Sequence, residues 1–149
     1  MSSKNISVII PTFNQPKYLD LCLNSLVTNQ VENEDGIYPE VIVVVDGGWN
    51  DEYKEICTKY NMSFYENKQS FKIISNQINL GISKSTNIGV YQATNENILI
   101  INDDNIFPPQ WNKLLLDHGK LGYKVITPNQ VEPHPSIYKE FYCKNFGKD

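Results

Sequence analysis

At 149 residues, with 40% hydrophobic and 20% charged side chains, the chain has the size and balance of one soluble domain with its own core. A net charge of -4 argues against a general nucleic-acid binder, because no basic excess exists to neutralise a phosphate backbone. The basic residues are all lysine, so phosphate contacts fall to lysine, backbone N–H groups or a metal, never to a guanidinium fork. No apolar run is long enough to span a membrane, and Met1 to Asn5 runs into a strand pattern without a signal peptide. Cys22, Cys57 and Cys143 are far apart and lack metal-ligand spacing. Free thiols in a reducing, cytoplasmic compartment are expected.

Ile6 to Ile10 is β-branched and apolar, which predicts a buried first strand stopped by Pro11. A loop rich in turn residues, Pro11 to Pro16, follows. Lys17 to Thr28 places Tyr18, Leu19, Cys22, Leu23 and Leu26 at helical spacing. A polar connection over 31–39 leads to a second strand, Glu40 to Asp46, which is apolar until it meets its aspartate. Gly47-Gly48 permits a turn with positive φ or a close ligand approach. Asn50 or Asp51 then caps a helix with Tyr53, Ile56, Cys57 and Tyr60 inward. Short strands are expected at Met62 to Tyr65 and at Phe71 to Ser75, and a loop over Asn76 to Gly81. A helix is expected from Ile82 to Thr94 and a buried central strand from Ile98 to Ile101. Pro108-Pro109 opens another helix with Trp111, Leu114 and Leu115 inward. A last strand over 123–127 gives way to a proline-rich tail, 128–149. Strands alternate with helices, so the expected fold is α/β, a mostly parallel sheet with right-handed crossovers.

The chemistry collects where strands end. The run Asn97-Ile98-Leu99-Ile100-Ile101-Asn102-Asp103-Asp104-Asn105 passes from apolar residues straight into two adjacent carboxylates. The C-terminal edge of an open α/β sheet is where ligands bind. Paired aspartates there suit a hard divalent cation shared with a phosphate; the same Asp-Asp-Asn also suits a solvated turn. The loops after the first strand, the second strand and the strand Ile98 to Ile101, namely Pro11 to Asn14, Asp46 to Gly48 and Asp103 to Asn105, would open on one edge and together span a nucleotide.

Four segments in order resemble family 2 glycosyltransferases: Ser7 to Asn14, Glu40 to Gly48, Asn79 to Gly89, and Asp103-Asp104-Asn105 in the place of that family's DxD motif. The match reaches to about Trp111. It implies a GT-A-like, Rossmann-type sandwich over 1–127, with the tail beginning a possibly missing acceptor-binding half. It implies inverting transfer from a nucleotide-diphosphate sugar, UDP-sugar favoured, with Mn²⁺ or Mg²⁺, to an unknown glycan, lipid or protein acceptor. By this resemblance Pro11, Thr12, Phe13 and Asn14 line the nucleoside pocket with Gly47, Asn79, Gly81, Lys84 and Asn87 around the donor. Asp46 takes the base, Asp103 meets the ribose or sugar-phosphate side, and Asp104 with Asn105 serves the metal. The chain departs from the family pattern in having Val45-Asp46 where two aspartates are common, Thr86 where an arginine is usual, and Asn105 as the third motif residue. No catalytic base is assigned: Glu132, His134 and Glu140 read as solvated residues, His118 as a surface residue, and Trp49 and Trp111 as core or rim. The alternatives are a non-catalytic nucleotide- or sugar-binding module, a fragment inactive on its own and open to self-association, or a plain α/β interaction domain without a nucleotide site.

Overall fold

The computed structural model describes residues 5–122 and 125. In chain order the elements are β1 (Ile6–Thr12), α1 (Pro16–Asn29), β2 (Glu40–Asp46), α2 (Asp51–Glu66), β3 (Phe71–Asn76), α3 (Ile82–Tyr91), β4 (Asn97–Ile100) and α4 (Trp111–Gly119). The strands form one sheet in the order β3-β2-β1-β4, every neighbouring pair parallel. This is the α/β sandwich expected from the alternation of strand and helix patterns.

One face of the sheet presents Val8, Ile10, Val41, Val43 and Val45 to Leu19, Leu23 and Leu26 of α1, Tyr53, Tyr60 and Phe64 of α2, and Trp111 of α4. The other face buries Ile9, Ile42 and Val44 against Ile88 of α3 and Ala93 just beyond it. Here the helix backbone comes very close: a Cβ on Gly89 would overlap Ile9 Cγ2. Only glycine lets α3 lie this low on the strands.

The N-terminal edge of the sheet is closed by a buried carboxylate. Glu40 accepts from Ser7 Oγ at 2.6 Å, from the Thr94 backbone N–H at 2.8 Å and from Thr94 Oγ1 at 3.0 Å. It also pairs with Lys72 Nζ at 2.7 Å. Burial alone would push this carboxyl up; the bonds from Lys72, Ser7 and Thr94 overcome it and hold the pKa at about 2.

Several expectations are corrected. β1 does not stop at Pro11 but continues to Thr12, with Pro11 opposite Val44. Ile9 C=O accepts from Ile101 N–H, so by the two-residue period the Pro11 nitrogen turns to the same side, where β4 has already ended and no ladder bond is lost. Met62 to Tyr65 is not a strand but the last full turn of α2, because Cys57, Tyr60 and Phe64 continue one buried helical face. α3 ends at Tyr91, short of Thr94. β4 is not a central, fully buried strand: it lies at an edge of the sheet among the described residues, with Leu99 packed inward and Ile98 and Ile100 exposed. α4 begins at Trp111, after Gln110 in the left-handed region, and Leu114 faces solvent. The strand expected over 123–127 and the tail over 128–149, with Glu132, His134, Glu140 and Cys143, lie outside the described residues, Val125 apart.

Candidate functional site

Parallel pairing brings the C-terminal ends of β1, β2, β3 and β4 to one edge, so their loops share a surface. The acidic loop after β4 is held from beneath by α1. Phe107 N–H donates to Ser25 Oγ at 3.0 Å, Asn29 Nδ2 donates to Phe107 C=O at 2.7 Å, and Trp111 Nε1 donates to Leu26 C=O at 3.2 Å. The buried Cys22 thiol faces Asn102 C=O at 3.9 Å, and the Phe107 and Trp111 rings pack 4.6 Å apart. Burial, then the nearby Asp103 charge, pushes the Cys22 thiol up to about 12.

On this platform Asp103 is half-buried and Asp104 exposed. Asp103 Oδ2 is buried without a hydrogen-bond partner. Burial raises the Asp103 pKa, the Thr12 hydroxyl lowers it, and the Asp104 charge raises it again. Among the described residues no lysine forms an ion pair with either carboxylate. Asn105 Nδ2 donates to Asn102 C=O at 3.1 Å and lies 3.4 Å from Asp104 Oδ1. No group of three or more His, Cys, Asp or Glu side chains able to hold a metal occurs among the described residues. A cation here would therefore complete its shell with ligand oxygens and water. The orphaned Asp103 oxygen and two adjacent carboxylates without a lysine partner fit such an ion.

Asp46 is in a different state. It is 4% exposed. Its Oδ1 accepts from Asn76 Nδ2 at 3.0 Å and Leu80 N–H at 2.8 Å, and its Oδ2 from Gly81 N–H at 2.9 Å. Burial would raise its pKa, but these donors together with Ser85 outweigh that and lower it. The resemblance gave this carboxylate to a nucleobase; here it holds the β3–α3 loop. Gly47 (φ +80) has no room for a side chain, since a Cβ would lie 2.7 Å from Asn79 N. Gly48 (φ +68) packs against the Asn14 side chain, and Asn14 itself has φ 52.

The candidates thus form two groups: Pro11, Thr12, Phe13, Asn14 and Asp103 around the end of β1, and Asp46, Gly47, Asn79 and Gly81 around the end of β2. Lys84 and Asn87 are exposed on α3, and Lys84 forms no ion pair among the described residues. Phe13 and Trp49 are half-exposed at the rim. Trp49 stacks on Tyr53 at 6.3 Å, Trp111 is core, and His118 is exposed with Nδ1 2.8 Å from Leu114 C=O. Tyr53, read from sequence only as an inner-face residue, reaches the site: its hydroxyl lies 2.9 Å from Thr12 Oγ1 and accepts from Gln15 N–H at 2.9 Å. No sequence signal separates it from any other buried aromatic.

The family model described as glycosyl transferase family 2 matches residues 7–145. The chain belongs to that family. Among solved structures it is similar to S. aureus TarS 1-349, at 28% identity and a TM-score of 0.57, over 79% of this chain and 32% of that one. The same protein in complex with UDP matches to the same extent. The mannosyltransferase PcManGT from Pyrobaculum calidifontis, in complex with GDP-Man and Mn2+, shares the fold at 19% identity and a TM-score of 0.62, over 76% of this chain and 32% of that one. The chain thus spans about a third of the length of these structures. No curated protein matches it. No helix among the described residues is long and apolar enough to cross a membrane.

Proposed function

We propose that this chain is the donor-binding part of an inverting glycosyltransferase that takes a nucleotide-diphosphate sugar, UDP-sugar favoured, with Mn²⁺ or Mg²⁺. The observation that carries this is the Asp103–Asp104 pair in a chain of the glycosyl transferase family 2, with Asp103 Oδ2 buried and unpartnered at the C-terminal edge of the sheet. The UDP complex of TarS supports the choice of base.

In this reading Phe13 offers its exposed ring to the nucleoside, and Asn14 and Thr12 frame it. Asp103 meets the ribose or the sugar-phosphate side. Asp104, with the amide oxygen of Asn105, would hold the divalent ion. Bound there, that ion supplies Lewis-acid stabilisation of the departing nucleoside diphosphate. Asp46 serves by holding Leu80 and Gly81, and so the loop that faces the donor, in place. Inversion also needs a base for the acceptor hydroxyl, which is not assigned here.

Binding of UDP, GDP and dTDP, each with Mn²⁺ and with chelator, tests the reading by thermal shift. Ligand at a hundredfold excess over Kd stabilises by about 2.7 kcal/mol, a readable rise in Tm. The expected result is a shift with UDP that chelator removes and that Asp104→Ala abolishes. A shift unchanged in Asp104→Ala removes the metal assignment. No shift with any nucleotide removes the donor site.

A further inference from the structure

We infer that Ser25 and Asn29 of α1 are positioning residues for the Asp103–Asp104 loop, and through it for the divalent ion. The inference rests on the metal reading proposed above for its purpose and on hydrogen bonds of the structure for its geometry.

The backbone that follows the two aspartates cannot hold its own turn. Pro108 and Pro109 have no N–H, so Phe107 and Gln110 carry the only backbone donors between 107 and 110. Both donors go to α1. Phe107 N–H donates to Ser25 Oγ at 3.0 Å, and Gln110 N–H to Asn29 C=O at 2.7 Å. The Asn29 side chain adds a third bond, from Nδ2 to Phe107 C=O at 2.7 Å. Phe107 is thus gripped at both its N–H and its C=O by two side chains one helical turn apart. The Ser25 hydroxyl gives its own proton to Cys22 C=O at 2.9 Å, so it meets Phe107 as an acceptor. Gln110 takes φ 57, which a residue with a Cβ adopts when its surroundings hold it there.

These contacts follow one face of the helix, since Cys22, Ser25 and Asn29 stand at i, i+3 and i+7 on α1. The near end of the loop is tied as well. Ile101 N–H donates to Ile9 C=O at 3.1 Å, and Asn102 C=O accepts from Asn105 Nδ2 at 3.1 Å beside the Cys22 thiol. The far end is Phe107, a buried residue whose ring packs on Trp111. Asp103 and Asp104 therefore lie on a short arc fixed at both ends. No lysine among the described residues pairs with them, and adjacent carboxylates repel, so a loose arc would let them move apart. Pinned, the arc keeps them together before an ion arrives, and a pre-set site gives up less freedom on binding.

The test has a binding arm and a ligand-free arm. Mn²⁺ uptake in the presence of UDP is followed by the EPR signal of the free ion, well below the Tm of every variant. Ser25→Ala and Asn29→Ala should each weaken uptake about tenfold, the value of about one hydrogen bond. Ser25→Thr keeps the hydroxyl and should take up Mn²⁺ like the wild type. Glu40→Gln loosens the opposite edge of the sheet; it should lower Tm and leave uptake alone. In the ligand-free protein, the Phe107 amide should exchange slowly in the wild type and in Ser25→Thr, and roughly tenfold faster in Ser25→Ala. A merely structural Ser25 and Asn29 would lower Tm with Mn²⁺ uptake unchanged. That result overturns the inference, as does an equal loss of uptake in Glu40→Gln or a fast Phe107 amide in the wild type. Should Ser25→Ala fail to fold, Asn29→Ala carries the comparison, because its backbone bond to Gln110 remains. If the wild type takes up no Mn²⁺ with UDP, the metal reading falls and this role with it; uptake that ignores Ser25 and Asn29 removes the role alone.

Discussion

Asp46 and Asp103 are both strand-end aspartates, and their surroundings have sent them in opposite directions. Asp46 is surrounded by donors from Asn76, Leu80 and Gly81, while Asp103 keeps a bare buried oxygen. Asp46→Asn would turn an NH₂ group toward backbone N–H donors. It should lower stability by about 1–3 kcal/mol and weaken nucleotide binding together, read by denaturant melts and by titration. The partners of Asp46 lie 30, 34 and 35 residues away, so no local pattern in the sequence reveals them. The sequence showed that an aspartate ends the strand, and its position on the binding edge, but not which way the carboxylate faces. Glu40 offers a second test at this scale. Its pKa is depressed to about 2 when folded against about 4.3 when unfolded, so its contribution is complete above the unfolded value. That contribution is lost as pH falls from about 5 toward 2. Glu40→Gln should lower Tm at pH 7 and flatten its fall in acid.

At the scale of elements, most of the fold was legible because its strands are unbroken apolar runs and its helices repeat on one face. The errors have physical causes. Met62 to Tyr65 has strand-like composition, but Phe64 lies four residues beyond Tyr60, and burial of that face extends α2. Pro11 reads as a terminator, yet it sits where its side of β1 has no partner. α3 makes the sharpest prediction. Its inner face carries Ser85 and Gly89, small residues that let it settle over Ile9 and Val44. Gly89→Ala therefore overpacks a buried contact and should cost about 1–3 kcal/mol, outweighing the gain in helix propensity. A rise in Tm for Gly89→Ala would show that α3 sits more loosely than described.

On the scale of the whole molecule, the sheet is unevenly covered. β1 and β2 carry helices on both faces, while β4 leaves Ile98 and Ile100 in the open. Amide hydrogen exchange should accordingly be slowest in the middle of β1 and β2 and markedly faster in β4. Equal protection of β4 would point to a cover over this edge in solution.

The two edges of the sheet also divide the labour. At one, Glu40 is ringed by Ser7, Lys72 and Thr94, and its charge is fully answered. At the other, Asp103 and Asp104 are answered by no lysine among the described residues. In the proposed donor-site reading the floor therefore serves cohesion alone, while the rim combines affinity with the loop contacts of Asp46. Such a separation loosens the usual conflict between stability and change: exposed Phe13 and Trp49 are free to be exchanged for other side chains while the floor keeps the strands in register. If the rim binds a donor as proposed, a lineage built this way has room to explore new ones without first unlearning how to fold.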